Sequence, residues 1–162
     1  MTNTSEPSAE DFPSEGALLA IDYGTKRLGF AVCDRDQRIA FPVENYQRGN
    51  EQQDLQAVRR LIEEYRILGL IVGLPVHMSG DEGEKAQSAR AFGEWAAEAT
   101  DLPIRFWDER FSSQQADELL DAGEFSKHQR RGRRDMLSAH AILQNYLDSP
   151  DRTAAPRDLR EH

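Results

Sequence analysis

The chain has 162 residues, 38% hydrophobic and 30% charged, with a formal net charge of −9 and one cysteine. That length fits one domain with a real core, and no apolar run approaches the roughly 20 residues that a bilayer crossing needs. The lone Cys33 excludes an intrachain disulfide and a four-thiolate zinc site, and it fits a reducing, cytoplasmic setting.

Residues 1–16 are rich in Ser, Thr, Glu, Asp and Pro and have no apolar segment of the secretory kind, so they read as a disordered tail. The folded domain is expected over 17–148. "GALLAIDYG" is a short apolar run bounded by glycine, a first strand. "LGFAVCD" follows across a tight turn, Gly24 to Arg27, and completes a hairpin. Cys33, beside Phe30, Ala31 and Val32, reads as a buried strand thiol. "RIAFPVENY" is a third strand, and Pro42 places it at an edge or an interruption.

The period then changes. Leu55, Val58, Leu61, Ile62 and Tyr65 recur at helical spacing. "LGLIVGLP" is a buried fourth strand, parallel to the first across that helix. Ala86, Ala89, Phe92, Gly93 and Ala96 form the stripe of a second helix. "LPIRFW" is a fifth strand, ending at Asp108-Glu109-Arg110. A short helix is expected from Ser112 or Ser113 to Leu120, closed by Gly123. "KHQRRGRR", Lys127 to Arg134, reads as a basic loop without an acidic residue. "DMLSAHAILQNYL" is a last, largely buried helix opened by Asp135. Residues 149–162 read as a second disordered tail.

This order predicts an α/β fold: a mixed five-stranded sheet, three antiparallel strands followed by two βα crossovers, with helices on both faces. In such sheets functional groups gather beyond the carboxyl ends of the parallel strands. Asp22, Gly73 to Pro75 and the Asp108-Glu109 pair should therefore share one rim.

Asp22, Glu109 (or its neighbour Asp108) and Asp135 can meet there. Carboxylates close together repel unless a cation sits among them. Mg²⁺ or Mn²⁺ takes oxygen ligands, and two such ions can activate a water and stabilise the leaving oxygen in phosphodiester cleavage. Each residue also has a plainer reading. Asp22 can form the turn before Gly24, Asp108-Glu109-Arg110 can be a surface ion-pair patch, and Asp135 can complement a helix N-terminus. Lys26, Arg27 and Arg110 can pair with these carboxylates or meet a phosphate. Lys127, Arg130, Arg131, Arg133 and Arg134 supply a basic stretch for a nucleic-acid backbone, or a solvated surface.

"DYGTKRLGFAV", "IVGLPVHMSGDEG", "WDERFSS" and "RDMLSAHAILQNYLD", in this order, resemble the YqgF family of RuvX-like proteins, described as Holliday junction resolvases or pre-16S rRNA nucleases. The resemblance covers roughly Leu18 to Asp148. It implies an RNase H-like fold and a bacterial cytoplasmic nuclease, using Mg²⁺ or Mn²⁺, for 5′-end maturation of the 16S rRNA precursor. Asp22, Glu109 and Asp135 match the family's catalytic, metal-holding carboxylates, and Gly24, Lys26, Arg27 and Gly29 its turn motif. His77 stands where the family often has Asn. Ser138 stands where RuvC-type resolvases carry a further acidic residue. The expected partner is structured RNA, with branched DNA and ribosomal precursor particles beside it. No membrane partner is expected, and monomer and homodimer are both open. The rival readings are a junction resolvase, a non-catalytic RNA-binding or transcription-associated module, and an actin-like or sugar-kinase ATPase.

Overall fold

Alternate residues of a strand point to opposite faces, and the first run, "ALLAIDY", is buried on both. It therefore needs a layer on each side. The structure, a computed structural model, describes residues 12–75, 83–109 and 127–153, with side chains in the last stretch from residue 135. Its elements are β1 (Ala17–Tyr23), β2 (Arg27–Cys33), β3 (Ala40–Gln47), α1 (Glu51–Tyr65), β4 (Ile67–Leu74), α2 (Glu84–Thr100), β5 (Ile104–Asp108) and α3 (Lys127–Asp148).

The sheet order is β3-β2-β1-β4-β5. The β1–β2 and β2–β3 pairs are antiparallel, and β4 and β5 run parallel to β1. This is the expected α/β arrangement. Leu19, Ile21, Phe30, Leu70 and Val72 pack with Val58, Leu61 and Phe92 under α1 and α2. Leu18, Ala20, Ala31 and Ile71 pack with Trp107, Ile142, Leu143 and Tyr146 under α3. Pro42 lies on the edge strand β3, at a register shift opposite Ala31, where its missing N–H costs the ladder least. Cys33 is buried, accepts the Leu18 N–H at 3.3 Å, and has its thiol pushed up to about 11 by burial.

Two expectations change. The basic stretch is not a loop: α3 starts at Lys127, so Asp135 lies inside the helix rather than opening it. Lys, Arg and Gln are good helix formers, and one Gly is tolerated at about 1 kcal/mol. Two described residues that fall in the expected tails, Phe12 and Arg152, pack against the domain. Phe12 is only 8% exposed, meets Tyr146 edge-on, and carries the Arg105 guanidinium over its ring. Arg152 bonds the side chain and backbone of the buried Gln37. The expected helix at 112–120, Arg110 and His77 lie outside the described residues.

The α3 face of the sheet is built from small residues where the helix comes closest. A Cβ on Gly29 would lie 1.9 Å from the Asp135 carbonyl oxygen and 2.2 Å from its carbon. Both obstacles are backbone, so neither can swing aside. Gly29→Ala should therefore cost about 3 kcal/mol or more, toward the upper end for overpacking. The measurement is the urea midpoint; an unchanged midpoint would mean that α3 does not sit this close.

Candidate active site

The parallel strands β1, β4 and β5 end on one side of the sheet. Alternation then sorts the acidic residues there. Leu18 and Ala20 face α3, so Asp22 does too. Trp107 faces α3, so Asp108 turns away and Glu109 returns to that face. Of the two acidic neighbours, the strand's period selects Glu109.

Glu109 reaches Asp22 across the end of β4. Its backbone N–H donates to the Leu74 carbonyl at 3.0 Å. Its side chain lies against Gly73, where a Cβ would meet Cγ at 2.7 Å and Cδ at 2.9 Å. Gly73 thus leaves the gap through which the carboxyl passes. Burial pushes the Glu109 carboxyl above the usual range; its hydrogen-bonding contact with Asp22 pulls it down, and the Asp108 charge pushes it up. Two carboxyls in such contact need a shared proton or a cation between them.

Asp135 lines the same cleft from α3. Arg27 Nε stands 3.0 Å from its Oδ2. The approach is an ion pair without hydrogen-bond geometry: Oδ2 is shut off from solvent and accepts no hydrogen bond among the described residues. The helix is pinned beside it, since the Met136 N–H donates to Asn45 Oδ1 of β3 at 2.7 Å. The cleft, about 490 Å³, is lined by Glu109, Asp135 and the 24–27 turn. Lys85 and Ser88 of α2 line it too.

Among the described residues no three acidic, His or Cys side chains form a ready-made metal cage. The donor set nonetheless fits a hard divalent cation. It offers only oxygen, it holds a half-buried carboxyl pair, and Asp135 Oδ2 nearby is ion-paired to Arg27 without a hydrogen bond among the described residues. The structure thus brings Asp22, Glu109 and Asp135 onto one face, with Lys26 and Arg27 at the cleft wall. It places Lys127, Arg130, Arg131, Arg133 and Arg134 on the first turns of α3 by their backbone alone. The sequence reading missed Asn45, Lys85 and Ser88. Only Lys85, a cation just after the glycine-containing loop, carried any signal.

A sequence model of the family described as "RuvX: Holliday junction resolvase" matches residues 16–149. A protein of Rhodopirellula baltica described as "Putative pre-16S rRNA nuclease" is 34% identical over 149 residues, covering 92% of this chain and 86% of the relative. One of Paracoccus denitrificans with the same description is 40% identical over 143 residues, covering 88% and 90%. Among solved structures, RuvC of T. thermophilus in complex with a Holliday junction substrate has a TM-score of 0.54 at 20% identity, covering 88% of this chain and 99% of that one. The fowlpox virus resolvase, bound to junction DNA, has a TM-score of 0.51 at 10% identity, covering 82% and 97%. These two show a shared fold.

A cation that relieves the Asp22–Glu109 contact should stabilise the protein. Saturating Mn²⁺ should raise Tm by roughly 3–8 °C, given about 1–3 kcal/mol of linkage. Asp22→Asn should abolish that rise and Gly73→Ala should weaken it, both read by differential scanning calorimetry. An equal rise in wild type and Asp22→Asn would put the ion elsewhere.

Proposed function

The chain belongs to the RuvX family, and we propose that it is a divalent-cation-dependent nuclease that processes the 5′ end of precursor 16S rRNA in the cytoplasm. The observation that carries this reading is the half-buried contact of Asp22 with Glu109 on the face where Asp135 pairs with Arg27. Relatives 34% to 40% identical, over most of both chains, carry the pre-16S description.

In this reading Asp22, Glu109 and Asp135 hold Mg²⁺ or Mn²⁺. The ion supplies charge neutralisation at the phosphate and a more acidic water. The chain's own groups do the rest. The three carboxylates come from β1, the end of β5 and α3, so their spacing is fixed by the sheet and its covering helix. Rigid elements hold such a constellation better than loops do. Lys26 and Arg27, on the cleft wall, hold the backbone phosphates flanking the scissile bond. Arg110 and the Lys127, Arg130, Arg131, Arg133 and Arg134 cluster extend that grip along the strand. Arg27, beside Asp135, is placed to leave the carboxylate for a phosphate when a cation arrives. Structured RNA within a ribosomal precursor particle is the partner.

A second reading keeps the chemistry and changes the substrate to a four-way DNA junction. It is supported by the RuvX family's description and by the fold shared with junction resolvases. Cutting two strands needs two sites, hence a homodimer.

The test is cleavage of a 5′-extended 16S precursor fragment, beside a four-way junction, with Mg²⁺, Mn²⁺ or EDTA. RNA cutting should require the ion and should fall about a hundredfold or more in Asp22→Asn. Full activity in that variant would overturn the carboxylate assignment. Paired cuts in the junction by a dimer, with RNA untouched, would select the second reading.

A further inference from the structure

Arg48 lies behind the cleft and not in it, yet it is the residue on which the cleft's basic wall hangs. Its backbone N–H donates to the Lys26 carbonyl at 2.9 Å, and its Nη1 donates to the Gly24 carbonyl at 3.0 Å. One residue thus holds two carbonyls of the four-residue turn. The turn itself has no slack: a Cβ on Gly24 would meet the Arg27 carbonyl oxygen at 2.7 Å.

The guanidinium is fixed from three other directions. Nε donates to Asp54 Oδ2 at 3.0 Å, and the Asp54 side chain is only 1% exposed. The group lies over the Tyr23 ring at 5.1 Å and the Phe92 ring at 5.5 Å. Asp54 is fixed in turn by the Gly49 N–H at 3.0 Å. A guanidinium has five donors in a planar fork, so it can serve Asp54 and Gly24 together; an ammonium is a single point charge.

We propose that Arg48 is a positioning residue for nucleic-acid binding: it locks the 24–27 turn so that Lys26 and Arg27 face the cleft. The proposal rests on the nuclease reading only for what those two cations hold. Without the Nη1 bond, the turn keeps its strands but loses the clamp that aims its side chains. The carboxylates, held by β1, β5 and α3, stay where they are. The loss therefore falls on substrate capture more than on the chemical step.

The experiment compares wild type, Arg48→Lys and the double variant Arg48→Met/Asp54→Leu. The lysine keeps a cation opposite Asp54. The double variant removes the buried pair together, which is often neutral for stability. Three quantities are read: the urea midpoint, amide hydrogen exchange at residues 24–28, and KM against kcat on the RNA fragment. Both variants should remain folded, exchange at 24–28 should quicken about tenfold or more, and KM should rise about tenfold with kcat within about threefold. Wild-type exchange and wild-type KM in a folded variant would overturn the proposal, leaving Arg48 a purely structural residue. A matching drop in kcat without a rise in KM would overturn it too. If wild-type protein cuts no nucleic acid, the nuclease reading fails by itself. The exchange arm still decides whether Arg48 holds the turn.

Discussion

The approach of α3 to β2 at Gly29 is the constraint on which the site depends. The Asp135 carbonyl occupies the place where any other residue would carry its Cβ. At that separation the helix cannot slide or rotate freely over the sheet. Asn45 adds a directional tie by accepting the Met136 N–H. Asp135 therefore enters the cleft at a fixed height, set by backbone packing and not by its own side-chain contacts. Below it, Ala139, Ile142, Leu143 and Tyr146 bury the rest of the helix against the sheet and supply the free energy that holds this approach.

Glycine has a second use at Gly73. There the free space admits a side chain in place of a helix. Glu109 crosses it to reach Asp22, and a methyl group would stand in its way. The result is a contact that a fold optimised for stability alone would avoid. Two half-buried carboxyls meet while Arg27 of the turn pairs with Asp135. Carboxyls this close share a proton or a cation. Their oxygen donors are of the kind that a small divalent ion takes.

The strands were legible because each is a short apolar run closed by a turn signal, and β1 and β4 carry the uninterrupted apolar character of central strands. Asp22 and Glu109 were legible because each stood at the end of a strand, and Asp135 because the last apolar helical period begins there, although the helix itself starts eight residues earlier. Composition and spacing alone left Asp108 and Glu109 open; the family resemblance chose Glu109, and the register that puts Trp107 under α3 gives the physical reason. The start of α3 was misread because "KHQRRGRR" has no apolar period, and its helicity comes from residue propensity and the helix that follows. Phe12 and Arg152 were invisible for a different reason. A single aromatic or cation outside any periodic segment gives no sign of the ring or carbonyl that it will meet. Arg48 and Asp54 belong to that class: six residues apart across a strand–helix junction, they share no spacing that sequence alone would flag.

A chain with a net charge of −9 has to confront nucleic acid locally, and the fold divides its charges accordingly. Lys26 and Arg27 line the cleft together with Lys85. On the other side of the sheet from Asp135, Glu63 and Glu64 of α1 lie beside Arg59 and Arg60, a patch of balanced charge. In the proposed reading, the field at a bound phosphate is set by the cations that line the cleft more than by the total charge, because exposed charges beyond about 8 Å are screened at physiological salt. Affinity built this way is local and geometric. A shift of the 24–27 turn by an ångström changes it, while a change of several units in net charge on the far face of α1 does not.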